Sequence, residues 1–223
     1  MPWEIVIALY IGVAVAIGVV LLRRALQHTP LRLDALCLAA AWAYAVGGAL
    51  WLRAWLVGQP FLGFEAPWTW LTAVHFHAAG LGSWSVSALA ARFVGDVRRY
   101  RIMAGVLLAH PVAFSLVAAG INGAAGVDIA GACFYWLLYA VQLIAVAPAL
   151  PRRRASHALR IALAVPLVML LPSIAWSLGT PLLGFDKMIV FHGLVNVAGH
   201  VALGLGALLV LRPAVRGASS ARA

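Results

Sequence analysis

Seven apolar stretches, each long enough to cross a bilayer, constrain this chain more than any other feature of its sequence. A spanning helix needs about 20 predominantly apolar residues. Only 10% of the 223 residues are charged, against about 25% in soluble domains. The sequence therefore predicts an all-α polytopic membrane protein with seven transmembrane helices. These helices are expected at about residues 3–22, 34–57, 67–92, 102–122, 129–150, 157–179 and 187–211.

The basic residues are distributed unequally between the two ends of these helices. The loops after helices 1, 3 and 5 and the C-terminal tail carry most of them, whereas the other end has only Arg53 and Lys187. Because basic loops stay in the cytoplasm, the N-terminus is predicted outside and the C-terminus inside. The net charge of +10 thus sets topology, and we expect no nucleic-acid partner. Residues 1–212 form one predicted transmembrane domain, and the small polar tail 213–223 is predicted to be disordered.

An internal repeat is the most specific local pattern in the sequence. Residues 54–65, AWLVGQPFLGFE, recur as residues 175–186, AWSLGTPLLGFD. Each copy joins two helices at the same end of the bundle, helices 2 and 3 in the first case and helices 6 and 7 in the second. Two copies in the same orientation predict parallel repeats of three helices. The predicted halves are about 1–92 and 129–212, joined by a linker helix at 102–122.

Polar side chains lie deep inside helices 3 and 7, where they are costly and usually functional. His75 and His77 on helix 3 are two residues apart, so their side chains are predicted to point to different sides. His192, Asn196 and His200 on helix 7 follow an i, i+4, i+8 spacing and share one face. His192 and His200 lie about 12 Å apart along that helix, too far to bind one metal ion directly. Interhelical hydrogen bonding is the structural alternative for each histidine taken singly.

The two acids of the repeat, Glu65 and Asp186, stand near the starts of helices 3 and 7, where the helix dipole favours their anionic form. His75 and Asn196 lie about 15 Å further along their helices. These groups predict an enzyme that uses acid–base chemistry on a lipophilic small molecule, in a cavity lined by helices 3 and 7. Helix capping is the alternative role of the acids. The predicted catalytic residues are Glu65, His75, His77, Asp186 and His192, and the predicted substrate-binding residues are Trp70, His110, Tyr139, Asn196 and His200.

Two other functions fit the same residues. One histidine from each of two helices suffices for a bis-histidine haem, and repeats around a midplane site also build small transporters and sensors. Because the candidate ligands spread over two faces of helix 3 and along helix 7, we predict no cofactor and no tightly bound metal, with haem or a transition metal as the alternative. The predicted partners are a lipophilic substrate and membrane lipids, and the sequence leaves the oligomeric state open.

Two motifs carry a resemblance to a known family. Residues 71–80, LTAVHFHAAG, and residues 192–199, HGLVNVAG, resemble the YndJ-like family of bacterial membrane proteins, in which a TAVHFH-type helix precedes an HGxxNxxG helix. This resemblance implies a place in the bacterial cytoplasmic membrane. A looser likeness, in architecture and in the placement of Glu65 and Asp186, is to the seven-helix membrane terpenoid cyclases. It implies proton-initiated cyclisation or isomerisation of a lipophilic substrate.

Overall fold

The regular structure of the chain is helical throughout the part that the computed structural model describes, residues 2–28, 31–121, 124 and 126–211. The chain is an all-α polytopic membrane protein, as predicted, and the predicted boundaries lie within a few residues of the observed ones. The disorder predicted for 213–223 lies outside the described residues. The orientation of the termini and the repeat halves stay predictions. The helices are α1 Pro2–Leu26, α2 Leu33–Leu56, α3 at 68–93, α4 Val97–Ile121, α5 Val127–Ala149, α6 Arg154–Ser177 and α7 Phe185–Val210.

Six of these helices are long and apolar enough to cross a membrane as they stand. The exception, α3, is divided by a π-helical segment, and α7 contains two such segments. π-Helical turns are rare and are frequent at functional sites. Here they contain or adjoin every histidine of the two helices. The π segments are Phe76–Ser83 in α3 and Ile189–Leu194 and Asn196–Ala202 in α7.

Helix α3 lies in the middle of the bundle. It packs against α2 and α4 and, through its π segment, against the second π segment of α7. Helix α6 packs against α5 and α7, whereas α1 lies at the periphery on α2. The predicted contact between helices 3 and 7 is therefore present. Small residues allow the close approach, since a Cβ atom at Gly82 would lie 2.6 Å from the Val201 side chain of α7.

Gly80 provides a test of this close packing. A Cβ atom at Gly80 would collide with the ring of Tyr44 on α2. We expect Gly80→Ala to lower the free energy of unfolding by about 1–3 kcal/mol, the usual cost of overpacking. The measurement is unfolding by SDS in mixed micelles. Gly105→Ala is the matched control, because no atom lies within 4 Å of its Cβ position, and an equal loss in both variants would contradict the packing argument.

The two ends of the bundle differ in charge. We call the end with the loops after α1, α3 and α5 the arginine-rich end, and the opposite end, with Glu65 and Asp186, the acidic end. At the arginine-rich end Asp34 is fully buried and accepts hydrogen bonds from Arg32, Arg92 and Tyr100, at 2.9, 3.0 and 3.2 Å. This carboxylate ties together the ends of α2, α3 and α4.

Candidate functional site

Helix α6 presents two backbone carbonyl groups to the histidines of α7. Pro166 has no N–H, so the carbonyl of Ala162 lacks its usual helical partner, and Nδ1–H of His200 donates to it at 2.8 Å. The first segment of α6 ends at Met169, whose carbonyl accepts from Nδ1–H of His192 at 2.8 Å. Because a carbonyl only accepts, both rings carry their proton on Nδ1. Each neutral ring therefore has a lone pair on Nε2.

These contacts show that His192 and His200 share the face of α7 that meets α6, as their spacing predicted. Gly199 lies on the same face, and a Cβ atom there would lie 3.1 Å from Val165 of α6. Asn196 bonds to its own helix, because its amide nitrogen donates to the carbonyl of His192 at 2.6 Å. Its side-chain oxygen is buried without a hydrogen-bond partner among the described residues.

A second proline frees another carbonyl group in the same way. Pro111 lies inside α4 and leaves the carbonyl of Leu107 without a helical partner. The indole N–H of Trp84, on α3, donates to this carbonyl at 3.0 Å. The ring of Trp84 is then nearly parallel to that of His110, with 5.8 Å between centroids and 7° between planes. The irregular backbone of α4 thus fixes two rings beside each other inside the bundle.

His75 and His192 form what we call the histidine pair. His75 lies 5.6 Å from the ring of Phe114 on α4 and within electrostatic range of His192. Its Nε2 atom is buried and has no hydrogen-bond partner in the described part of the chain. The structure thus brings together one predicted catalytic histidine from α3 and one from α7.

His77 faces away from the histidine pair, as the spacing predicted. Its Nδ1–H donates to the carbonyl of Ala73 at 2.7 Å, and its Nε2 accepts from the hydroxyl of Tyr10 on α1 at 2.8 Å. A Cβ atom at Gly48 of α2 would collide with its ring. Both ring nitrogens are therefore satisfied in contacts that hold α1, α2 and α3 together. The catalytic role of His77 stays a prediction, and its position favours the structural alternative.

Five side chains form a buried polar cluster between α4, α5 and α7, each at most 6% exposed. The ring of His110 lies 5.1 Å from Tyr135, Tyr135 lies 5.9 Å from Tyr139, and Tyr139 lies 5.1 Å from His200. The two histidines also lie within electrostatic range of each other. The structure therefore joins three predicted substrate-binding residues. The polar cluster consists of His110, Tyr135, Tyr139, Gln142 and His200.

Four members of the polar cluster have side-chain atoms without a hydrogen-bond partner among the described residues. These are both ring nitrogens of His110, the hydroxyl of Tyr135, the amide nitrogen of Gln142 and Nε2 of His200. An unsatisfied polar group costs several kcal/mol inside a bilayer, where lipid offers no hydrogen bonds. Five such atoms lie in this one cluster, where water or another polar molecule can satisfy them.

Sequence reasoning missed the role of Ser87 on α3. Its hydroxyl lies 2.9 Å from Oε1 of Gln142, to which it donates, and 3.0 Å from the carbonyl of Ser83. The side chain of Ser83 in turn lies near the hydroxyl of Tyr139. A signal for this contact was present, because Ser83 and Ser87 lie one turn apart in an apolar helix. The contact of Tyr10 with His77 was missed as well, because no other feature of the α1 sequence marks Tyr10.

The two predicted acids do not join either group of histidines. Glu65 and Asp186 are exposed at the acidic end, and neither side chain forms a hydrogen bond or ion pair with another described residue. Arg53 pairs instead with Glu4, through two bonds of 2.8 and 2.9 Å. Trp70 is 42% exposed, with its ring 5.3 Å from that of Trp55. The catalytic role of the acids and the binding role of Trp70 stay predictions.

Few side chains in the described part of the chain could act together as ligands of a metal ion or haem. No group of three or more His, Cys, Asp and Glu side chains converges there. The two-histidine arrangement considered from the sequence takes one ring from each of two helices, and two pairs, His75 with His192 and His110 with His200, lie within electrostatic range of each other. The ring of His200 is oriented by a carbonyl, as metal-bound histidines often are. The prediction of a metal-free protein stays a prediction.

Comparison with known proteins places this chain in one family. The family model described as YndJ-like protein matches residues 3–200. No curated protein and no solved structure matches the chain. Since the family match covers nearly the whole chain, including the histidine pair and the polar cluster, this membrane protein belongs to the YndJ-like family.

Proposed function

We propose that this protein is an integral enzyme of the bacterial cytoplasmic membrane that isomerises, cyclises or hydrolyses a lipophilic small molecule by acid–base catalysis. The histidine pair acts on the reacting atoms, and the polar cluster binds the substrate. The observation that supports this proposal is the set of buried ring nitrogens without hydrogen-bond partners on α3, α4 and α7. Titratable groups at such depth are costly and mark functional sites.

In this proposal His192 is the general base. Its Nε2 lone pair takes a proton from the substrate, while Nδ1–H stays bonded to the carbonyl of Met169 and steadies the imidazolium that forms. Two positive rings within electrostatic range of each other would repel, so at most one ring of the pair carries an extra proton at any moment. His75, when it carries the proton, returns it to another atom of the substrate. An isomerisation or cyclisation then leaves the proton count unchanged.

The test is to incubate purified protein in detergent with a total bacterial lipid extract, followed by mass spectrometry. We expect a component of the extract to be converted into an isomer, or into products whose combined mass is that of the substrate plus one water molecule. The matched comparison is His75→Gln, which keeps a polar side chain without a titratable ring. An extract left unchanged by the wild-type protein, or changed equally by both proteins, would remove the support for an enzyme.

Metal analysis tests the redox alternative. We expect purified protein to hold less than one equivalent of iron, zinc or copper and to show no haem absorption band. The physical reason is that no group of three or more His, Cys, Asp and Glu side chains converges among the described residues, so a metal ion would have at most two histidine ligands there. One equivalent of metal or haem, lost in His200→Gln and kept in the exposed control His157→Gln, would establish the metalloprotein instead.

A further inference from the structure

The unpartnered atoms of the polar cluster determine which hydrogen-bonding groups a bound molecule must offer. Nε2 of His200 is an acceptor, because the proton lies on Nδ1. The unpartnered hydroxyl of Tyr135 can donate, and the amide nitrogen of Gln142 offers free N–H donors, while the oxygen of Gln142 already accepts from Ser87. His110 adds one donor and one acceptor. An anion would face the lone pairs and a cation would face the donors, so this mixed set favours a neutral group whose oxygen atoms accept and donate.

Aromatic rings in and beside the polar cluster lie nearly parallel in two pairs. Trp84 and His110 are stacked, and Tyr135 and Tyr139 lie only 14° from parallel. Aromatic faces of this kind favour a planar ring held by offset stacking. The site also lies within apolar helices that cross the bilayer, which a lipophilic molecule reaches more readily than a charged one.

We infer that the polar cluster binds the oxygen-bearing ring of a neutral, planar lipophile of the quinone and phenol class. The donors of Gln142, Tyr135 and His110 meet its carbonyl or ether oxygen, and the acceptor of His200 meets its hydroxyl when it has one. The inference rests on the proposed function, because it names the substrate class of the same site. Phe114 lies one helical turn from His110 and contacts His75, so a ring bound in the cluster is adjacent to the histidine pair.

Equilibrium dialysis in detergent against menadione and 2-methylnaphthalene tests the inference. The two probes share a flat two-ring skeleton, and only menadione carries oxygen atoms. We expect menadione to bind saturably, at one molecule per chain, and 2-methylnaphthalene to show only the partition of detergent alone. Equal binding of the two probes, or no saturable binding of menadione, would overturn the inference.

Gln142→Met tests whether the polar cluster is the site. This change keeps the length of the side chain and removes the amide donor, while Ser87 keeps its bond to Ser83. We expect menadione to bind about tenfold more weakly, the effect of losing one hydrogen bond of about 1.4 kcal/mol. Gln59→Met is the matched control, since Gln59 is exposed at the acidic end and its replacement is expected to leave affinity unchanged.

Tyr135→Phe gives a readout that a purely structural role would not produce. It removes a buried hydroxyl that has no partner among the described residues, so we expect the ligand-free protein to be equally or more resistant to SDS, while menadione affinity falls. Lower resistance with unchanged affinity would overturn the inference.

If menadione fails to bind while the wild-type protein still converts the lipid extract and His75→Gln does not, the quinone inference fails and the proposed enzyme stands. If menadione binds as expected and the extract stays unchanged, the quinone inference stands and the proposed enzyme loses its support.

Discussion

His192→Gln is expected to lower the rate of substrate conversion by 10²–10⁴-fold, the usual loss when a general acid or base is removed. Glutamine can still donate an N–H to the carbonyl of Met169, so the contact between α6 and α7 is kept. It cannot take up a proton at the position of Nε2. The measurement is the initial rate of conversion in detergent, with binding measured separately to show that the substrate still enters.

His157→Gln is the matched control for this prediction. His157 is exposed near the arginine-rich end, and the same substitution there is expected to leave the rate unchanged. A rate for His192→Gln within threefold of the wild type would mean that His192 only holds α7 against α6.

The amide variants Glu65→Gln and Asp186→Asn separate the acids from the histidines. Their exposure and their distance of about 15 Å along the helix from His75 and Asn196 lead us to expect less than a tenfold change in rate. A loss as large as that of His192→Gln would assign proton donation to the acids, as the sequence predicted.

The histidines of α3 and α7 illustrate what the sequence could predict. A helix advances by 100° per residue, so local spacing alone separates the directions of His75 and His77 and places His192 on the face of His200. The contacts with Phe114 and Tyr10, and with α6, agree with these directions. All seven helices and the six that are long and apolar enough to cross a membrane followed from length and hydropathy for the same reason, since both are properties of local sequence.

The partners of those histidines could not be predicted from spacing. His200 meets Ala162 because Pro166 frees that carbonyl and the packing of α6 on α7 brings it near, and nothing in the local pattern of α7 specifies which helix lies beside it. The same holds for Trp84 and Leu107. Prolines inside apolar spans are nevertheless a usable signal, because each one frees a carbonyl that another side chain must satisfy.

Asp34→Leu is expected to lower the free energy of unfolding by about 1–3 kcal/mol, a large part of the stability of an ordinary protein. Loss of one partner of a fully buried ion pair costs about 3–5 kcal/mol. The smaller value follows from the partial exposure of the two guanidinium groups, whose side chains are 45% exposed in Arg32 and 30% in Arg92. These groups can turn partly towards water when the carboxylate is removed. SDS-induced unfolding in mixed micelles measures the change.

The double variant Asp34→Leu with Arg92→Leu distinguishes charge pairing from simple loss of packing. If Asp34 acts by neutralising two guanidinium groups, removal of one of them relieves the repulsion that the single variant leaves between Arg32 and Arg92. The double variant is then expected to be more stable than Asp34→Leu alone, although Tyr100 has lost its acceptor. If the two losses simply add, Asp34 and Arg92 do not interact energetically. In that case Asp34 would stabilise the protein through its bonds to Arg32 and Tyr100 and not through Arg92.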